Sequence, residues 1–397
     1  MSKKIIDFEV TATDGAARSG KMGLHRPTDY SFETPVFIPL ASLGTLKGLT
    51  TEQILGLPHT PPILFVNAYH LSRRPGPELL KEYGGIHKWL NWPHGILTDR
   101  GGFQMFCHTD PSVGTEEGLK FNSTNPDGSD KILTPEDMIH IQNSIGSNIA
   151  LQLDDYVPMS MTGPRVEDAM NRSIRWLDRT ISAHERPDDQ AIFAIVQGGH
   201  DPELRRLCSE EMSKRKEKLG GFAIGNLSNT ESKDLFWKSL NASIAGLPPE
   251  YPRYLMGVGY PDDIAVCIAL GVDMFDCVYP TRTARFGTAL TWKGNEHVSK
   301  WKNQDYPIEK ECHCWTCSHV TRTALYHMQH SDMCGQLLTI HNVEFQNRLT
   351  SYLGEGIKKK ELGKYLKDFF TARYPDGNFP QWVVDALLSV NIDIKNC

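Results

Sequence analysis

Short apolar runs rich in β-branched residues recur along the chain at 34–39, 63–67, 95–99, 148–154, 191–197, 221–226, 253–258 and 273–278, separated by stretches with helical periodicity. Alternation of this kind marks βαβ units, in which parallel strands are linked by covering helices. The runs are nearly continuous in apolar character rather than alternating, so both faces of each strand are expected to be buried. Helices are expected at 51–57, 77–89, 135–145, 166–184, 202–216, 232–247 and 261–270. Thr134-Pro135-Glu136-Asp137 offers a capping hydroxyl, a proline at the first helical position and an acid three residues after the cap. Val166, Met170, Ile174, Leu177 and Ile181 recur at spacings of three or four, which gives the next helix one apolar face. Eight strands, most followed by a covering helix, predict an α/β fold of the closed (β/α)8 TIM-barrel type. The rival, an open doubly wound sheet, calls for a glycine-rich phosphate fingerprint after its first strand, and residues 39–48 supply only a weak version.

A chain of 397 residues exceeds what such a barrel needs. The division expected is a barrel over 1–300, a metal-binding subdomain over 301–345 and C-terminal helices over 346–397 packed on the core. Residues 107–131, rich in Gly, Ser, Asn and Asp, read as an excursion of the third βα connection with room for a small hairpin, and loops this long are often functional. Hydrophobic content of 40%, charged content of 23% and the lack of a long apolar run describe a globular chain without a transmembrane helix. The first residues carry Asp7 and Glu9 where a signal peptide needs an apolar core, so a cytoplasmic location is expected. A net charge of −6 gives no support to nucleic-acid binding but does not exclude it, because a local basic surface suffices to hold phosphates.

Nine cysteines, three of them clustered near position 315, suit a reducing compartment and a metal site better than a disulfide framework. Cys312, Cys314, Cys317 and His341 form a Cys3His set that matches a closed, four-coordinate structural Zn2+ site. His313, His319, His327 and His330 compete for the fourth position, and three unrelated buried cysteines are the bland alternative. A closed set leaves no coordination position for catalysis.

In a barrel the active site lies at the C-terminal ends of the strands, which here are Asn67, Asp99, Asp154, Gln197, Asn226, Gly257 and Asp276. Asp276 stands in an apolar run that opens into Arg282 and Arg285. A carboxylate in such a run must pair or face a cavity, since an isolated buried charge is costly. One reading is a satisfied structural acid bonded to loop amides or to Arg282; the other is a working group. As a set, carboxylates and planar amides around one cavity suit recognition of a purine-like edge and displacement at a sugar carbon.

Thr34-Pro-Val-Phe-Ile-Pro, Asn67-Ala-Tyr-His-Leu, Leu97-Thr-Asp-Arg-Gly-Gly-Phe-Gln, Val196-Gln-Gly-Gly, Tyr254-Leu-Met-Gly-Val-Gly, Phe275-Asp-Cys-Val-Tyr-Pro-Thr-Arg and the cluster ending at His341-Asn342 together resemble the tRNA-guanine transglycosylases. The resemblance covers nearly the whole chain in motif order and spacing. Gln152-Leu-Asp-Asp, Gly163-Pro-Arg-Val-Glu and Pro280-Thr-Arg-Thr-Ala-Arg-Phe-Gly look like the eukaryotic queuine branch rather than the bacterial one.

That resemblance implies roles. Asp276 corresponds to the nucleophile that attacks C1′ of the wobble guanosine of a G34 anticodon, and Asp99 to the proton-transfer carboxylate. Asp154 and Gln197, with Asn226 and Gly257, correspond to the base-reading positions, while Phe103 and Met256 would sandwich the ring. For Phe103 and Met256, plain core packing is the reading without the resemblance. Arg282 and Arg285 would grip RNA phosphates. It also implies insertion of a 7-deazaguanine base, queuine first, and a homodimer or a heterodimer with a non-catalytic paralogue. Four positions depart from the family pattern: Arg100 replaces a serine after Asp99, Asn226 and Asn229 replace glycines, and Tyr156 adds bulk beside Asp154. They leave the chemistry intact and bear on which base is accepted. A non-catalytic tRNA-binding subunit, which has little reason to keep both Asp99 and Asp276, and a barrel glycoside hydrolase, which explains neither the cysteines nor the arginines, are the competing readings.

Overall fold

A computed structural model describes residues 5–100, 114–121, 131–228, 230 and 232–396. Each of the eight expected runs forms a strand: β4 (Val36–Pro39), β5 (Ile63–Asn67), β6 (Gly95–Asp99), β9 (Ile149–Leu151), β10 (Ala191–Val196), β11 (Gly221–Ile224), β12 (Arg253–Leu255) and β13 (Met274–Cys277). They pair in the parallel order β4-β13-β12-β11-β10-β9-β6-β5. The ring closes through a parallel bridge from Leu40 to Phe65, where the Ala41 amide donates to the Phe65 carbonyl at 2.7 Å. The fold is therefore the expected TIM barrel.

Successive residues on a strand face opposite sides, so each strand sends one set inward and one toward the helices. Ile38, Phe65, Leu97, Phe193, Ile195, Ala223, Tyr254 and Met274 share an inner cluster, whereas Phe37, Ala194, Phe222 and Phe275 belong to the layer under the helices. An antiparallel sheet of β1 (Ile6–Asp14), β2 (Ala17–Leu24) and β3 (Tyr30–Thr34) plugs the N-terminal floor, adding Ile6, Met22, Leu24 and Phe32 to the inner cluster. A side chain at Gly95 would meet Leu24 at 2.5 Å, so the tight approach of this plug requires glycine there. The sheet was not among the expected elements, although burial along β1 alternates with the period of two that Ile6, Phe8, Val10 and Ala12 announce.

The covering helices fall at the expected places, most of them a few residues shorter, with Pro135–Ile145 as expected and Pro164–Ala183 starting two residues early, and one expectation fails. The pattern at 77–89 predicts one helix, but Pro77–Tyr83 and Ile86–Leu90 are separate, because Gly84 and Gly85 take φ of 88° and 97°. That left-handed backbone ends the first helix, and glycine adopts it at no steric cost. A six-residue helix, Ala68–Arg73, was also not anticipated; Asn67 caps it, accepting from the His70 amide at 3.0 Å. The hairpin expected within 107–131 is present as β7 (Leu119–Phe121) paired with β8 (Lys131–Leu133).

Beyond β13, the hairpin of β14 (Thr288–Thr291) and β15 (Gly294–His297) leads into two short helices, Trp315–His319 and Arg322–His327. The 27-residue helix Asp332–Lys358 follows, with Leu362–Arg373 and Gln381–Leu388 after it. The boundary expected at 345/346 thus falls inside one continuous helix, whose buried side chains touch both the metal-site cluster and the barrel's helical layer. Among the described residues no helix is long and apolar enough to cross a membrane.

Candidate active site

Inward parity carries Asp276 into the mouth of the barrel two residues above Met274. Its Oδ1 accepts from the Tyr254 hydroxyl at 2.5 Å and from the Gly257 amide at 2.8 Å. Oδ2 has no hydrogen-bond partner among the described residues, and Arg282 does not pair with it. Burial pushes this carboxyl up from the usual 3.8 to about 7. The two hydrogen bonds pull it back down and nearby Asp99 adds to the rise. Of the two readings of Asp276, the loop-amide contact is present on one oxygen, together with a hydroxyl, while Arg282 is not its partner. Tyr254, which sequence reasoning missed, is signalled by its inward register two residues before Met256.

Asp99 ends β6 beside Asn67 and is buried. Asp154 reaches the mouth by a different route. The expected strand 148–154 stops pairing at Leu151, and the Gln152 side chain takes over, its Oε1 accepting from the Ile195 amide at 3.0 Å. Its Nε2 donates to the Ser173 carbonyl at 2.9 Å. Gln152 and then Leu153 both face outward, and this break in parity turns Asp154 inward. The adjacent Asp155 is fully committed to Arg165, at 2.8 Å on both oxygens, and to Arg172.

Asp154 is wholly buried, and burial raises its pKa, opposed by Arg100 and by a hydrogen bond from Gln197 Nε2. Gln197 sits opposite Gly225, where a side chain would come within 3.0 Å of that Nε2. Arg100 points inward, as a large cation beside Asp99 can: Nε forms an ion pair with Asp154 Oδ1, and Nη1 donates to Asp99 Oδ1 at 3.2 Å. The structure therefore brings Asp99, Arg100, Asp154 and Gln197 into one connected group.

Asn226 keeps the turn that a glycine would make, with φ of 64°, and its Nδ2 donates to the Val157 carbonyl at 2.7 Å. Asn tolerates this left-handed region better than most residues. Gln197 Oε1 and Asn226 Oδ1 are buried without a partner among the described residues, as groups awaiting a polar ligand edge would be. Gly257 has φ of 75°, and Met256 is partly exposed against the inner cluster. Tyr156 is half-buried beside Asp155. Arg282 and Arg285 are exposed on the helix Tyr279–Arg285, one turn apart, immediately after β13. Phe103 and Asn229 lie outside the described residues.

The metal-ligating atoms of Cys312, Cys314, Cys317 and His341 all lie within 4.8 Å of one another, and the four side chains are buried. His341 Nδ1 is 3.7, 3.8 and 3.3 Å from the three sulfurs in turn. Its Nε2–H donates to the Leu290 carbonyl at 2.8 Å, which fixes the tautomer and leaves the Nδ1 lone pair for a metal. Three thiolates and one imidazole at such separations fit tetrahedral zinc, and the set can hold a structural metal ion.

A closed parallel barrel with carboxylates and amides converging on its C-terminal mouth defines a TIM-barrel enzyme with a buried Cys3His centre outside the barrel. The family model described as queuine tRNA-ribosyltransferase matches residues 13–375. The chain is 44% identical over 401 aligned residues to the "Queuine tRNA-ribosyltransferase catalytic subunit" of Schizosaccharomyces pombe, with 98% of each chain covered. It is 42% identical to the protein of the same description in Caenorhabditis elegans, covering 96% of this chain and 97% of that one. It is also 37% identical to the "Queuine tRNA-ribosyltransferase" of Deinococcus radiodurans, covering 96% and 95%. This chain belongs to the queuine tRNA-ribosyltransferase family.

Proposed function

We propose that this tRNA-guanine transglycosylase exchanges the wobble guanine of a G34 tRNA for a 7-deazaguanine base, queuine first, through a covalent bond from Asp276 to the RNA. The supporting observation is the asymmetry of Asp276: Oδ1 is held by Tyr254 and Gly257, and Oδ2 is left to attack. In its ionised form Oδ2 displaces guanine from C1′, and the departing base takes up a proton from water. Asp99 then removes the proton from the ring nitrogen of the incoming base, which attacks C1′ and releases the Asp276 carboxylate. Asp154, Gln197 and Asn226 read the edge of the flipped base, Gly257 keeps the backbone close, and Met256 and Phe103 cover its faces. Arg282 and Arg285 hold flanking phosphates. The cysteine-histidine centre holds Zn2+ and ties the Asp332–Lys358 helix to the segment after β15. We place the enzyme in the cytoplasm, as a dimer with itself or with a non-catalytic paralogue.

The test is incubation with G34 tRNA followed by denaturing electrophoresis and nucleoside mass spectrometry. A denaturation-resistant RNA adduct is expected for the wild type and not for Asp276→Asn, and added queuine is expected in position 34. No incorporation of any base, with the partner subunit present, would sink the proposal.

A further inference from the structure

Both oxygens of Asp154 are occupied without a base: Arg100 engages Oδ1 and Gln197 engages Oδ2. Arg100 is itself buried, and its second contact, to Asp99 at 3.2 Å, ties the proton-transfer acid into the same group. A carboxylate that reads guanine needs N–H donors on its oxygens, and guanine supplies them from N1–H and the 2-amino group. These atoms, with the carbon between them, are a guanidine fragment. Arg100 sets a guanidinium group against the same acid as an ion pair.

We propose that Arg100 sets the affinity threshold of the base pocket, an internal guanidinium that occupies Asp154 until an incoming base displaces it. The inference rests on Asp154 as the base reader. Displacement exchanges an ion pair on a buried carboxylate for the N–H donors of the base. A base carrying both N1–H and a 2-amino group replaces what Asp154 loses, whereas a base without them leaves a buried carboxylate short of partners. The side chain therefore raises the threshold for every base by the same factor, while the edge of the base decides how well Asp154 is satisfied once Arg100 has left. Because only the fraction of enzyme with Arg100 displaced accepts a base, measured affinity is reduced by that fraction.

The test compares wild type, Arg100→Ser, Arg100→Lys and Asp154→Asn in exchange of radiolabelled guanine into tRNA, with hypoxanthine, which lacks the 2-amino group, as competitor. Thermal unfolding establishes that each variant is folded. Arg100→Ser is expected to lower KM for guanine by about tenfold or more, with a much smaller change in kcat, and to lower the inhibition constant of hypoxanthine by a similar factor. Arg100→Lys, which keeps the charge but loses the planar fork, falls between. An unchanged or raised guanine KM in folded Arg100→Ser overturns the proposal, as does a fall in kcat alone. If Asp154→Asn leaves guanine KM unaltered, Asp154 is not the reader, and that failure is visible separately from the Arg100 result.

Discussion

Strand β13 is flanked at one end and crossed near the other by a buried acid, Asp273 just before it and Asp276 within it, three residues apart at opposite ends of the barrel. On the floor, Asp273 is saturated. Arg18 Nε donates to Oδ1 at 2.8 Å and Nη2 to Oδ2 at 2.5 Å, while the Arg253 amide adds a bond to Oδ2 at 2.7 Å. Arg18 is itself completed by the carbonyls of Pro249 and Tyr251. At the mouth, among the described residues, Asp276 has no cation on it and one oxygen is without a partner, and burial raises its pKa to about 7. The same residue type on the same strand is a clamp where its charge is answered and an acid with a displaced pKa where it is not. The general division of barrels into a stabilising floor and a reactive mouth here has a specific electrostatic cause.

Substitutions at these two acids break the comparison most directly. Asp276→Asn is expected to lower kcat by about a thousandfold or more while the protein melts no lower than the wild type, since a buried carboxyl is replaced by an amide of the same shape. Calorimetry and single-turnover exchange would check both halves. Asp273→Asn inverts the outcome, because it leaves the Arg18 guanidinium buried without its counter-charge. A loss of about 3–5 kcal/mol of stability is expected in denaturant titration. Any surviving folded protein should keep its exchange chemistry.

The smallest effect is a pH dependence that sharpens the contrast. Asp276 has a folded pKa of about 7, above its ordinary 3.8, so between those values the native chain binds the extra proton. Its contribution to stability is therefore present at the acid end of this window and is lost as pH rises through about 7, with a slope of at most about 1.4 kcal/mol per pH unit. Unfolding free energies of wild type and Asp276→Asn measured from pH 5 to 8 should diverge with that sign. A flat difference would show that Asp276 ionises as an ordinary surface acid. Under the proposed role, exchange activity should move the other way, rising with pH through the same range as Asp276 ionises.

Eight strands were legible because each is a local apolar run whose length and spacing are written in neighbouring residues. The Cys312, Cys314, Cys317 and His341 set was legible because thiolates and imidazole at short spacing have few other uses. The floor sheet is written in the alternation along β1, and the split of 77–89 is marked by Gly84-Gly85. The route of Asp154 into the mouth was not readable, since it depends on Gln152 exchanging a ladder bond for Ile195 and Ser173, residues far along the chain. Arg100 could be seen to be unusual, but its direction could not.

By itself, then, the sequence determined the barrel, the residues at its strand ends and the donor set of the metal centre, because periodicity and motif spacing act over a few residues. Only the tertiary structure decided which oxygen of Asp276 is hydrogen-bonded, that Arg100 lies across Asp99 and Asp154, and that Asp273 and Asp276 have opposite charge environments. Those outcomes turn on burial and on partners brought together by barrel closure, such as Arg18 against Asp273, 255 residues apart in sequence. The charge environment of a buried acid is a property of the assembled fold.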